Sequence, residues 1–82
     1  MLDHLTIMQE FAQIRRGEHA AWTGDRINNG ECFLRQIRRD MPEEATAIAY
    51  DIECNLDAYS EETGLPHRTL EVAQRYLYGM WA

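Results

Sequence analysis

Five side chains in this sequence could ligate a metal or attack an electrophile: His4, His19, Cys32, Cys54 and His67. Zinc sites and dithiol redox centres need such residues at close spacing, as in CxxC, CxxH or HxxxH, so that one turn or one tight loop points them at a common atom. No pair here has that spacing, so neither a metal centre nor a cofactor is expected. A cysteine nucleophile needs a base and a lowered thiol pKa, most simply at a helix N-terminus. Cys32 and Cys54 both lie on predicted helices, neither begins one, and both read as structural thiols. The stretches TGD and NNG match no glycine-rich phosphate loop. The chain is not expected to be an enzyme.

Charge is the stronger signal. The stretch PEEATAIAYDIECNLDAYSEET (42–63) holds seven acids, Glu43, Glu44, Asp51, Glu53, Asp57, Glu61 and Glu62, and no basic residue. Residues 1–40 carry six acids and six arginines and sum to zero, whereas residues 41–82 carry eight acids and two arginines. The net charge of −6 therefore belongs to the C-terminal half. This opposes broad binding to DNA, RNA or anionic lipid, which needs positive surface, and it suits a basic protein partner. All eight basic residues are arginine. GC-rich codon usage explains that choice, as does bidentate pairing.

The elements that carry these groups read as helices. Ala, Leu, Met, Glu, Gln and Arg dominate, no segment alternates as a half-buried strand would, and 45% of residues are apolar. The expectation is an all-α fold: one domain spanning 1–82, a compact bundle of about four helices at roughly 3–22, 31–40, 42–63 and 66–80. The first places Leu5, Met8, Ala12, His19 and Trp22 on one side, with Ile7, Phe11, Ile14 and Ala21 broadening the face and Gly17 able to end it. TGDRINNG (23–30) reads as loop. Asn28 then caps the second helix, whose Phe33, Leu34 and Ile37 turn inward while Arg35, Arg38 and Arg39 turn outward.

The third helix starts at Asp40-Met41-Pro42-Glu43, with Asp40 as cap, and stops at Gly64. Ala45, Ile48, Ala49, Ile52, Leu56 and Tyr59 form its core face, and the acids occupy the remaining arc. Among the acids runs a second, thinner stripe of Ala47, Tyr50, Cys54 and Ala58. A helix of the same chain lying over it would make it core. If it stays open, an aromatic ringed by charge is what the centre of an interface looks like. The fourth helix carries Leu70, Ala73, Leu77 and Met80, broadened by Val72, Tyr76 and Trp81.

The segment AYSEETGLPHRTLEVAQRYL (58–77) resembles the second and third helices of a helix-turn-helix unit, with Gly64 at the turn. The resemblance implies a recognition helix exposing His67, Arg68, Glu71, Gln74 and Arg75. Ser60 at a small apolar position, the length of the preceding helix and its charge all oppose DNA binding. The acids span about 27 Å at 1.5 Å per residue. Duplex DNA offers on the order of 16 charges over that length, so the seven acids are no copy of DNA.

In kind, the chain resembles the small acidic proteins that phages and mobile elements make to block host factors such as CRISPR complexes. The expected function is accordingly a binding protein that inhibits or regulates a basic, nucleic-acid-binding partner through Glu43, Glu44, Tyr50, Asp51, Glu53, Asp57, Glu61 and Glu62. A helix-turn-helix regulator using residues 64–77 is the second expectation, and a structural or assembly subunit the third. No signal peptide or membrane-length apolar run is visible, which suggests a cytoplasmic protein with reduced thiols. A core this small gains from self-association, so a homodimer through the first or fourth helix is also expected.

Overall fold

The structure, a computed structural model, describes residues 3–80. Among them it is all-helical: α1 (His4–Arg15), α2 (Arg26–Asp40), α3 (Pro42–Cys54), α4 (Leu56–Thr63) and α5 (His67–Tyr78), with no strand. α3 packs most extensively on α5, α2 lies against α1, α3 and α5, and α4 reaches across to α1. Ile7, Met8, Phe11, Ala12, Ile14, Phe33, Leu34, Ala45, Ile48, Ala49, Ile52, Leu70, Ala73 and Leu77 meet in one core. The faces of α1 and α5 that the sequence offered for self-association are thus largely taken up inside the monomer.

Several local differences from the sequence expectation have physical causes. α1 ends at Arg15, where Gly17 takes a positive φ of 75°. His19 and Trp22 therefore sit in the following loop. His19 Nδ1 accepts from the Ala21 amide, so Nε2 donates to Glu10, while Trp22 packs edge-on against Phe33 with ring centroids 6.4 Å apart. α2 begins at Arg26, five residues early, because the Asp25 carboxylate accepts from the Ile27 and Asn28 amides. Asn28 is not the cap.

The asparagine and glycine run that reads as loop is helical because Gly30 lets α1 approach α2. A Cβ at Gly30 would lie 3.0 Å from Cε1 of Phe11. Asp40 closes α2 and pairs with Arg39, so α3 starts at Pro42 with no side-chain cap.

Two outward arginines also turn out to be structural. Arg38 donates to Thr46 Oγ1 at 2.9 Å and to the carbonyls of Pro42 and Leu77 at 3.4 Å, tying α2 to the end of α5, where carbonyls lack helical partners. Arg35 stacks over the Tyr76 ring, 5.2 Å from its centroid. Met80 lies beyond the C-cap Gly79 and is exposed rather than part of the α5 core stripe. Trp81 lies outside the described residues.

The last difference matters most for function. The expected helix 42–63 is broken at Asn55, whose φ of −132° and ψ of 41° are not helical. Its side-chain amide donates to the Asp51 carbonyl at 3.1 Å and to Asp51 Oδ1 at 3.0 Å, offering the chain an alternative to the helical ladder. α4 restarts at once through the Tyr59 amide to the Asn55 carbonyl, now aimed at α1.

Candidate functional site

The seven acids therefore do not lie on one rod. They divide into three groups about the break. Glu44 and Asp51 flank α3 on the side of α1, and both are half-buried. His4 sits between them, with Nδ1 3.2 Å from Asp51 Oδ2 and Nε2 3.6 Å from Glu44 Oε2. Asp51 also accepts a short hydrogen bond from the Tyr59 hydroxyl of α4 and the bond from Asn55. The Tyr59 hydroxyl, and then His4 and Asn55, hold the Asp51 carboxyl below its ordinary range, with burial opposing them. Burial first, then the bond and charge of Asp51, push the Tyr59 phenol far above its ordinary value. Asp51, expected on an open face, is turned toward the protein's own donors, and Glu44 lies beside His4 with a buried Oε2 that accepts no hydrogen bond.

Glu43 and Glu53 of α3 and Glu61 and Glu62 of α4 are exposed, and none of these four belongs to an ion pair among the described residues. Asp57 is exposed and pairs with His67 at 3.0 Å. All the ion pairs of the seven acids are thus to histidines. None of the eight arginines, all of which lie among the described residues, pairs with any of the seven.

The thin stripe among the acids stays open. Ala47, Tyr50, Cys54 and Ala58 are all exposed, and Tyr50 retains 61% of its accessible surface. Tyr78 at the end of α5 lies close enough to Tyr50 and Cys54 to act on this stripe. The Tyr50 phenol is shifted upward, first by the neighbouring Cys54 sulfur, with desolvation, Glu53 and Tyr78 adding to the effect. Both cysteines are free thiols. The outer surface of α3 and α4 is thus an aromatic and small-residue strip bordered by Glu43, Glu53, Asp57, Glu61 and Glu62.

The second expectation, the helix-turn-helix segment, gains one feature and loses another. The break at Asn55 shortens the helix before the turn to eight residues. Gly64 supplies the left-handed turn with φ 75°, and Ser60 Oγ donates to the Leu65 carbonyl at 2.6 Å, so its hydroxyl is satisfied inside the corner. Of the would-be reading residues, however, Gln74 faces inward and donates to the Ala49 carbonyl at 3.1 Å, and His67 is engaged by Asp57. Arg68, Glu71 and Arg75 remain exposed on α5.

Sequence reasoning missed His4 and Asn55. Asn55 left a legible signal, since asparagine inside a helix competes for its own backbone. His4 left none, because its partners are 40 and 47 residues away and only packing joins them.

Among the described residues no group of three or more His, Cys, Asp or Glu is arranged to hold a metal ion. None of their helices is long and apolar enough to cross a membrane. No family model, no curated protein and no solved structure matches this chain.

Proposed function

We propose that this protein is a non-enzymatic binding protein that inhibits or regulates a basic, nucleic-acid-binding protein through the outer surface of α3 and α4. One observation carries this reading: a surface with five exposed acids and an exposed tyrosine is left unpaired by every arginine of a chain that contains eight. An acidic face serving stability alone would gain from those arginines, whereas an open one attracts a cationic surface from a distance and holds it through its aromatic centre. Glu43, Tyr50, Glu53, Asp57, Glu61 and Glu62 are the contact residues of this reading. Glu44 and Asp51 support it from the flank.

The test is capture of protein from lysate at low ionic strength, with identification by mass spectrometry. The captured protein should be basic, should elute as salt rises, and should be lost with Glu53→Arg combined with Glu61→Arg. If that double reversal leaves capture intact while the fold is preserved, the acidic surface is not the binding surface.

The short α4 and the Gly64 turn favour one second reading, a helix-turn-helix DNA reader using Arg68 and Arg75 of α5. Against it, α4 and α5 together carry four acids and two arginines, a poor balance for phosphate. Retardation of duplex DNA at low salt, abolished by Arg68→Ala or Arg75→Ala, would select this reading over the first.

A further inference from the structure

A notch lies between α1 and the joint of α3 with α4 at Asn55. Leu5, Asp51, Asn55, Ala58, Tyr59 and Glu62 line it, and its surface is mainly apolar. Its volume is about 200 Å³, below the roughly 300–1,000 Å³ of sites for drug-sized ligands. It is sized for a side chain. The charges that line it choose which one. Asp51 Oδ1 accepts from Asn55 and Oδ2 from Tyr59 and His4, so Asp51 contributes mainly negative potential. Glu62 is exposed and belongs to no ion pair among the described residues. Arg16 shares with Glu62 the adjoining polar hollow, but its guanidinium already donates to the Thr63 carbonyl and to Glu18.

We propose that this notch anchors one arginine side chain of the basic partner. The methylene stem lies over Leu5, Ala58 and Tyr59, and the guanidinium meets Glu62 in the negative potential of Asp51. Arginine fits better than lysine because its long stem buries against apolar surface while its planar head is weakly hydrated and meets a carboxylate through two N–H groups. The inference rests on the binding reading above and deepens it. It converts a diffuse acidic surface into one with a specific point of attachment.

The test titrates the intact protein with a short peptide of alternating Arg and Gly, and with its Lys counterpart, following backbone and side-chain amide NMR signals. Ala58→Leu fills the notch without changing charge, Glu62→Gln removes its ionised carboxylate, and Ala20→Leu adds the same bulk to the exposed loop after α1, outside both the notch and the acidic surface. The expected result is that the Arg peptide shifts Leu5, Asn55 and Ala58. Ala58→Leu and Glu62→Gln should each weaken it about tenfold, roughly one anchor contact, with Ala20→Leu neutral and the Lys peptide weaker.

If Ala58→Leu binds as well as wild type, while Glu53→Arg with Glu61→Arg weakens binding and the shifts spread along α3, the notch is refuted and the acidic-surface reading stands. Equal binding of the Lys peptide refutes the guanidinium assignment. If the Arg peptide fails to bind the wild type at low salt, both the notch and the surface reading fail. Should Ala58→Leu perturb the fold, Glu62→Gln decides alone.

Discussion

Replacing Tyr59 by Phe removes a single hydroxyl from the joint between α3 and α4. Tyr59 is only 6% exposed and its hydroxyl donates to Asp51. A hydrogen bond to a charged group is worth about 1.5–3 kcal/mol. The Asp51 side chain is 39% exposed, so water can replace part of the lost donor, and solvent screening lowers the expected cost to about 1 kcal/mol. For a domain of this size that is a fall in Tm of roughly 4–8 °C.

The pH dependence distinguishes this bond from mere packing. The folded Asp51 carboxyl is held below its unfolded value, so its contribution is complete above about pH 4 and is lost as pH falls through the folded value. The folded Tyr59 phenol is held above its unfolded value, so its contribution is complete below about pH 10 and declines as pH rises beyond that. The stability gap between wild type and Tyr59→Phe should therefore be widest near neutrality and narrow toward both extremes. Denaturant melts across the pH range would show this. A gap that is absent at pH 7, or that widens in acid, would refute the assignment of Asp51 as the acceptor that fixes the joint.

Two further substitutions test the fold that positions the surface. Gly30→Ala gains about 1 kcal/mol of helix propensity, but its Cβ would meet the Phe11 ring, which is 1% exposed and has no room to yield, at 3.0 Å. Overpacking of that kind costs roughly 1–3 kcal/mol, so a net loss near 1 kcal/mol is expected in urea melts, and a stabilised variant would show that α1 and α2 are further apart. Asp25→Ala removes the acceptor for the Ile27 and Asn28 amides and should cost about 1 kcal/mol, whereas Asn28→Ala should cost less, since Asn28 is not the cap. The reverse order would restore the later helix start.

Much of this molecule was legible from residue order. The all-helical class follows from composition and period alone. The inward sets of α3 and α5 follow from the spacing of Ala45, Ile48, Ala49, Ile52 and of Leu70, Ala73, Leu77, all of which are fully buried. So does the outward placing of Ala47, Tyr50 and Cys54 on α3, because a helix fixes which residues share a side whatever lies beyond it, whereas Ala58 lies past the break on α4. The boundaries were less legible. Asp25, not Asn28, caps α2 by accepting from the Ile27 and Asn28 amides, and the helix runs on through Gly30, where the Phe11 ring leaves no room for a side chain.

Sequence order by itself therefore determined the helices, their faces and the clustering of negative charge in residues 42–63. It could not determine how that charge is shared out. Only the tertiary structure decided that the helix breaks at Asn55 and that His4 draws Glu44 and Asp51 to one side. Only it decided that the arginines meet helix ends, the Tyr76 ring, acids of their own segments or solvent, leaving the outer acids unpaired by any arginine. The physical reason is range. Helical periodicity acts over three or four residues, as does the bond of Asn55 to Asp51, whereas His4 meets Glu44 and Asp51 across 40 and 47 residues, and Arg38 meets Leu77 across 39, only because the shared core brings them together.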